Sequence, residues 1–111
     1  MILPTYTVTL WIAGDIDTAR RVVRERAYNL GMCVTVTPTT FIYTGGEESG
    51  VAIGFVNYPR FPSTPAAIRA QAREIAETLI AALNQKSALL VATDVTEWIS
   101  VTPPGAPRKA A

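Results

Sequence analysis

The chain has 111 residues, 49% of them hydrophobic and 17% charged, which suits one folded domain with a substantial core. Its formal net charge of +1 provides no global field for duplex nucleic acid, so we expect no such partner. The single cysteine excludes an internal disulfide. The sequence has no histidine, so it lacks the commonest metal ligand and the base that usually activates a nucleophilic serine or cysteine.

The N-terminal residues lack the basic start and long apolar run of a secretion signal. The longest helical apolar stretch, Ile75 to Leu83, is too short to span a bilayer. We therefore expect a cytoplasmic protein without membrane contact, located in the host cytoplasm if the protein is viral.

Strict alternation predicts a first strand over Thr5–Ile12, with one apolar face and one threonine-rich face. A helix should follow, capped at its start by Asp15 or Asp17 and ended by Gly31. Four arginines crowd the outer positions of this helix: Arg20, Arg21, Arg24 and Arg26. We interpret that face as solvated surface, and an anionic partner is the alternative.

The middle of the chain predicts two strands. In the first, over Met32–Thr44, Pro38 cannot donate to a ladder, which places that strand at a sheet edge or at a bulge. The glycine-rich segment Thr44–Gly50 predicts a long hairpin loop before the next strand, which runs from Val51 through Phe55.

The second half predicts another helix, capped by Ser63 or Thr64 and continuing to about Gln85. Two short strands, Ala88–Ala92 and Val95–Val101, should follow. Residues 102–111 are rich in proline, and we expect them to form a disordered tail.

This order of elements predicts a single α+β domain over residues 1–101, with a two-layer ferredoxin-like sandwich. Its β-α-β-β-α-β core should carry an extra C-terminal strand, with both helices on one face of a mostly antiparallel sheet. The first and third strands should lie side by side in the middle.

The sequence offers little for catalysis. Cys33 has no neighbouring base, Asp15 and Asp17 are better explained as helix caps, and no spacing resembles a metal or dinucleotide site. We therefore expect no catalytic residues, no bound metal, no cofactor and no enzymatic activity.

A binding surface is better supported. The residues concerned are Tyr43, Thr44, Gly45 and Gly46 at the hairpin, and Asn57, Tyr58, Arg60 and Phe61 at the other end of the partner strand. Aromatic rings, backbone N–H groups and one arginine suit a planar anionic ligand such as a nucleotide. The two groups would meet between copies in an oligomer. Trp11 and Trp98 would favour self-association if both project from the helix-free face.

Three segments carry a resemblance: Gly31–Gly46, Asn57–Pro62 and Trp11–Asp15. Together they resemble small uncharacterised proteins of tailed bacteriophages and prophages. This resemblance implies a viral accessory role, such as host takeover or evasion of host defence.

These observations favour a phage accessory protein that binds and sequesters a small anionic ligand, such as a signalling nucleotide, as a homo-oligomer. The alternative is an inhibitor that binds a host protein through its edge strand or threonine-rich face. A carboxylate-dependent phosphodiesterase or other hydrolase ranks third.

Overall fold

A computed structural model of the chain describes residues 1–101, so the predicted tail lies outside the described residues. Five strands and two helices follow in this order: β1 (Thr7–Ala13), α1 (Ile16–Leu30), β2 (Val34–Tyr43), β3 (Gly46–Val56), α2 (Pro65–Ala82), β4 (Ser87–Ala92) and β5 (Thr96–Ser100). The strands form one antiparallel sheet in the order β2-β3-β1-β4-β5. The ferredoxin-like prediction is therefore confirmed, with β1 and β3 adjacent inside the sheet and β5 added at one edge.

Both helices cover the same face of the sheet. On that face the side chains of Val8, Leu10 and Ile12 are almost fully buried, as are Ile53 of β3 and Ile75 of α2. Burial of such side chains is the dominant favourable term in folding. The opposite face, here called the open face, carries the other half of each strand's alternation and is at least partly exposed except at Gly50.

Capping residues set the helix boundaries. Asp15, one of the two predicted caps of α1, accepts a hydrogen bond of 2.9 Å from the backbone N–H of Thr18. That bond favours the carboxylate and lowers the pKa of Asp15. Gly31 ends α1 in the left-handed conformation at φ 64°, and Thr64 caps α2 through the backbone N–H of Ala67.

The predicted long loop over Thr44–Gly50 is wrong. Only Thr44 and Gly45 form the turn, and β3 begins at Gly46, which pairs with Tyr43. Gly45 has φ 90°, a value that suits glycine at the second position of a tight turn. The other glycines of this segment lie in the strand, and there they make room for neighbouring side chains rather than breaking the ladder.

The β2–β3 hairpin extends past the rest of the sheet. β1 ends opposite Gly50, so residues 40–49, here called the arm, form a two-stranded ribbon without a third strand. At its base the Gly14 N–H donates to the Ser49 carbonyl at 3.0 Å. Pro38 pairs with Val51 on the edge strand, which confirms the predicted edge position. Within residues 1–101 neither helix is long and apolar enough to cross a membrane.

Candidate functional site

One row of residues crosses the open face from edge to edge. The strand register aligns Thr37, Ala52, Trp11, Leu89 and Trp98. Because Leu10 and Ile12 point into the core, Trp11 points away from the helices, and Trp98 shares that face. Trp98 is 58% exposed, whereas Trp11 is half-buried. The two tryptophans therefore project from the helix-free face, as the self-association hypothesis required.

A glycine allows the arm to present an aromatic ring beside this row. A Cβ built on Gly50 would lie 2.3 Å from Cε2 of Phe41 and 2.6 Å from the carbonyl oxygen of Ile12. Real Cβ atoms essentially never make contacts under 3.0 Å. The ring of Phe41 can therefore lie against β3 only because position 50 has no side chain.

The arm and the open face together enclose a cleft of about 640 Å³, here called the aromatic cleft. Its aromatic walls come from Trp11, Phe41, Tyr43 and Trp98. Glu48 is the one charged side chain among the described residues that line it. This volume lies within the range of small-molecule sites, which are mostly apolar with a few polar groups.

Of the predicted hairpin group, Tyr43 alone lines the aromatic cleft. Thr44 and Gly45 form the turn beyond it, and Gly46 begins β3 with its Cα beside the ring of Tyr43. Tyr43 is therefore the one member of this group in the wall of the cleft, and the turn residues lie at the margin of the cleft.

The second predicted group lies at the far end of β3. Asn57 joins two loops, since its side-chain amide donates to the Pro4 carbonyl at 3.0 Å and its Oδ1 accepts from the Ser63 N–H at 2.9 Å. The rings of Tyr58 and Phe61 stack with centroids 6.2 Å apart, and both line a small pocket of about 150 Å³.

The two predicted groups do not meet within one chain. They lie at opposite ends of β3, an 11-residue strand whose length is roughly 35 Å at the usual rise per residue. Arg60 is exposed and does not line the aromatic cleft. A site that contains both groups therefore stays a prediction that requires a second copy.

Sequence reasoning missed Phe41 and Glu48 as cleft residues. Residues 46–50 read Gly-Glu-Glu-Ser-Gly, which has no apolar alternation, so no local signal indicated that β3 begins at Gly46. Once Gly46 starts β3, Glu48 pairs with Phe41, and both belong to the cleft wall. Cys33 is exposed just before the edge strand.

The main charged cluster lies on the helix-covered side, away from the aromatic cleft. Arg73 binds the Glu97 carboxylate through two bonds, with Nε–Oε2 at 3.0 Å and Nη2–Oε1 at 2.7 Å. Arg69 approaches the same carboxylate at 3.5 Å. The bonds from Arg73 lower the pKa of Glu97. This cluster ties α2 to β5 and is structural.

A further polar contact lies just before β1. The Tyr6 hydroxyl donates to Asp94 Oδ1 at 2.9 Å, and burial together with this carboxylate raises the pKa of Tyr6. Within residues 1–101 no three side chains of His, Cys, Asp or Glu are grouped to hold a metal ion.

The sequence matches no protein-family model and no curated protein. Solved structures of a phage SAM lyase are similar in fold. The apo form has a TM-score of 0.72 at 10% identity, over 87% of this chain and 90% of that chain. The complex with S-methyl-5′-thioadenosine has a TM-score of 0.71 at 9% identity, over the same shares. At these identities the likeness shows a shared fold.

This likeness corrects one expectation. We predicted no enzymatic activity, and that prediction is contradicted, because the similar structures belong to a lyase. The likeness also links the fold to a phage protein that holds a small ligand, which is the coarse form of the sequence-based hypothesis.

Proposed function

We propose that this chain is a phage-type accessory protein that binds a nucleoside-containing small molecule in the aromatic cleft. The cleft composition carries the proposal, with four aromatic side chains and one carboxylate around about 640 Å³. The fold likeness to a phage lyase that holds S-methyl-5′-thioadenosine supports the same ligand class.

The charge of the cleft favours one kind of nucleoside. Aromatic faces stack on bases and attract cations, while the carboxylate of Glu48 adds a negative charge. No arginine or lysine is among the described lining residues, so a phosphate finds no partner of opposite charge there. A positively charged sulfonium nucleoside such as S-adenosylmethionine therefore fits the walls better than a nucleotide does.

The lyase likeness adds a reaction to the proposal. When a carbon–sulfur bond of a sulfonium breaks, the bonding electron pair returns to sulfur and leaves a neutral thioether. The carbon fragment then loses a proton or gains an internal nucleophile. Glu48 is the one carboxylate among the described lining residues, and we assign it the role of accepting that proton or stabilising the sulfonium.

Calorimetric titration with S-adenosylmethionine, S-methyl-5′-thioadenosine, adenosine monophosphate and cyclic nucleotides tests the proposal. We expect the sulfonium and thioether nucleosides to bind. Tyr43→Ala and Trp98→Ala should each weaken binding at least tenfold, which corresponds to about 1.4 kcal/mol. The matched control is Tyr28→Ala, because Tyr28 is 90% exposed on α1 and does not line the cleft.

Denaturing the complex and analysing the released small molecules then separates intact retention from cleavage. Cleavage that is lost in Glu48→Gln would support the catalytic assignment. Binding of phosphate-bearing nucleotides alone, weakened by Arg60→Ala, would instead favour the signalling-nucleotide hypothesis. If no compound binds, the nucleoside proposal fails and the host-protein inhibitor becomes the leading hypothesis.

A further inference from the structure

A second groove lies between α1 and the outer edge of β2, with a volume of about 400 Å³. Its floor is apolar, formed by Val23, Ala27, Met32, Val34 and Val36. Arg20 and Arg24 supply the charge, and we call this surface the arginine groove. An apolar floor with two cations at its rim suits an extended segment that carries both apolar and acidic side chains.

The edge strand beside the arginine groove lacks the usual protection. β2 has ten residues without a charged side chain, and Pro38 is the single residue that cannot donate to a ladder. Within residues 1–101 no strand pairs with its outer side. Natural proteins normally guard such an edge with charges or cover it, so this edge is suited to an occupant.

The arginines of the groove are weakly engaged by the described residues. Arg20 lies 3.8 Å from Asp17, an exposed pair of the kind that contributes little. Within residues 1–101 Arg24 makes no ion pair. Both positive charges are therefore open to an acidic partner.

The arm has the complementary chemistry. Ile42 is 79% exposed and Tyr43 is 54% exposed, on a ribbon that lies beyond the rest of the sheet. Glu47 and Glu48 lie on its second strand, and the sequence has no lysine or arginine between Arg26 and Arg60. The arm is thus apolar and acidic, whereas the groove is apolar and basic.

We propose that the arm of one copy docks in the arginine groove of a second copy, with Glu47 facing Arg20 and Arg24. The arm and the arginine groove are different surfaces, so each copy binds one neighbour through its arm and another through its groove. The contact is therefore head-to-tail. Such contacts assemble several copies into a ring or an open chain.

This contact also affects the aromatic cleft, and that effect matters only if the proposed function is correct. The arginine groove shares Met32, Cys33 and Val34 with the small pocket beside Tyr58 and Phe61. A docked arm therefore leads the aromatic cleft of one copy toward the Arg60 loop of the next. That loop brings the stacked rings of Tyr58 and Phe61 toward the cleft, and aromatic faces attract the cationic nucleoside proposed above.

Charge reversal tests the contact, with mass measured by light scattering during gel filtration. Wild-type protein should elute as an assembly that dissociates as salt rises. Arg20→Glu with Arg24→Glu, and separately Glu47→Lys, should each weaken assembly at least tenfold. The triple variant that combines all three changes should assemble again, because its charges are exchanged.

Arg21→Glu is the matched control, since Arg21 is on the same helix but does not line the groove. It should assemble as the wild type does, and circular dichroism should show that every variant is folded. A monomeric wild type, an unaffected double variant or an equal loss in Arg21→Glu would overturn the proposal.

The two proposals can fail separately. If the wild type assembles but no nucleoside binds, the proposed function fails and the contact stands. If nucleosides bind to wild type and more weakly to Tyr43→Ala and Trp98→Ala, while charge reversal leaves the mass unchanged, the contact fails and the aromatic cleft stands.

Discussion

Gly50→Ala is the sharpest test of how the aromatic cleft is built. The new methyl group would meet the ring of Phe41 and the backbone of Ile12 at 2.3 and 2.6 Å. Backbone cannot rotate away as a side chain can. The β1–β3 spacing must therefore open by about 0.4 Å to reach even the shortest tolerated contact of 3.0 Å, and Phe41 must leave its position.

Two opposing effects determine how much Gly50→Ala changes the free energy of unfolding. Overpacking a well-packed site typically costs about 1–3 kcal/mol. Replacing glycine by alanine removes unfolded-state entropy and returns about 0.4–1 kcal/mol. The midpoints of these ranges leave a net loss of about 1.3 kcal/mol in the free energy of unfolding. Nucleoside binding should also weaken, because Phe41 forms one wall of the aromatic cleft.

Gly54→Ala is the matched control, in the same strand. Its Cβ would lie 2.4 Å from Oγ1 of Thr35, a hydroxyl that can turn to another rotamer, and no backbone atom is within 4 Å. We expect a change within about 0.5 kcal/mol of wild type, because the entropy gain offsets the rotamer change. Urea denaturation followed by tryptophan fluorescence measures both variants. Equal stability of the two variants would refute the steric explanation.

Two further predictions concern polar contacts. Glu97→Gln should cost about 1–2 kcal/mol at pH 7, between an exposed and a buried pair, whereas Glu25→Gln, at an exposed pair, should change little. Because Arg73 and Arg69 hold the pKa of Glu97 below its ordinary 4.5, this stabilisation is present above pH 4.5 and is lost as the pH falls further. In urea titrations from pH 7 to pH 3, the difference in unfolding free energy between wild type and Glu97→Gln should therefore shrink. A difference that stays constant down to pH 3 would contradict this. Tyr6→Phe should cost about 1 kcal/mol, because Asp94 loses its donor, and thermal unfolding that matches wild type would show that the bond contributes nothing.

Local patterns were sufficient for much of the fold. The alternation of Tyr6, Val8, Leu10 and Ile12 predicted which face of β1 is buried, and Pro38 predicted an edge. The buried face of a strand and the position of a proline depend on residues close together in the chain, so they can be predicted from one sequence. The Thr44–Gly50 segment was misjudged, because a glycine that breaks a strand and a glycine that admits a ring from the next strand look identical in sequence.

The sequence by itself determined the order of elements and the presence of the aromatic and acidic side chains. It also narrowed each helix cap to two residues, from which the structure selects Asp15 and Thr64. Only the tertiary structure decided that Trp11, Phe41, Glu48 and Trp98 share one cleft while Arg60 lies apart. Those residues come from four strands, and their proximity depends on the pairing register across the sheet. The alternation within a strand indicates its buried face, but which strands become neighbours depends on packing between residues that are far apart in the chain.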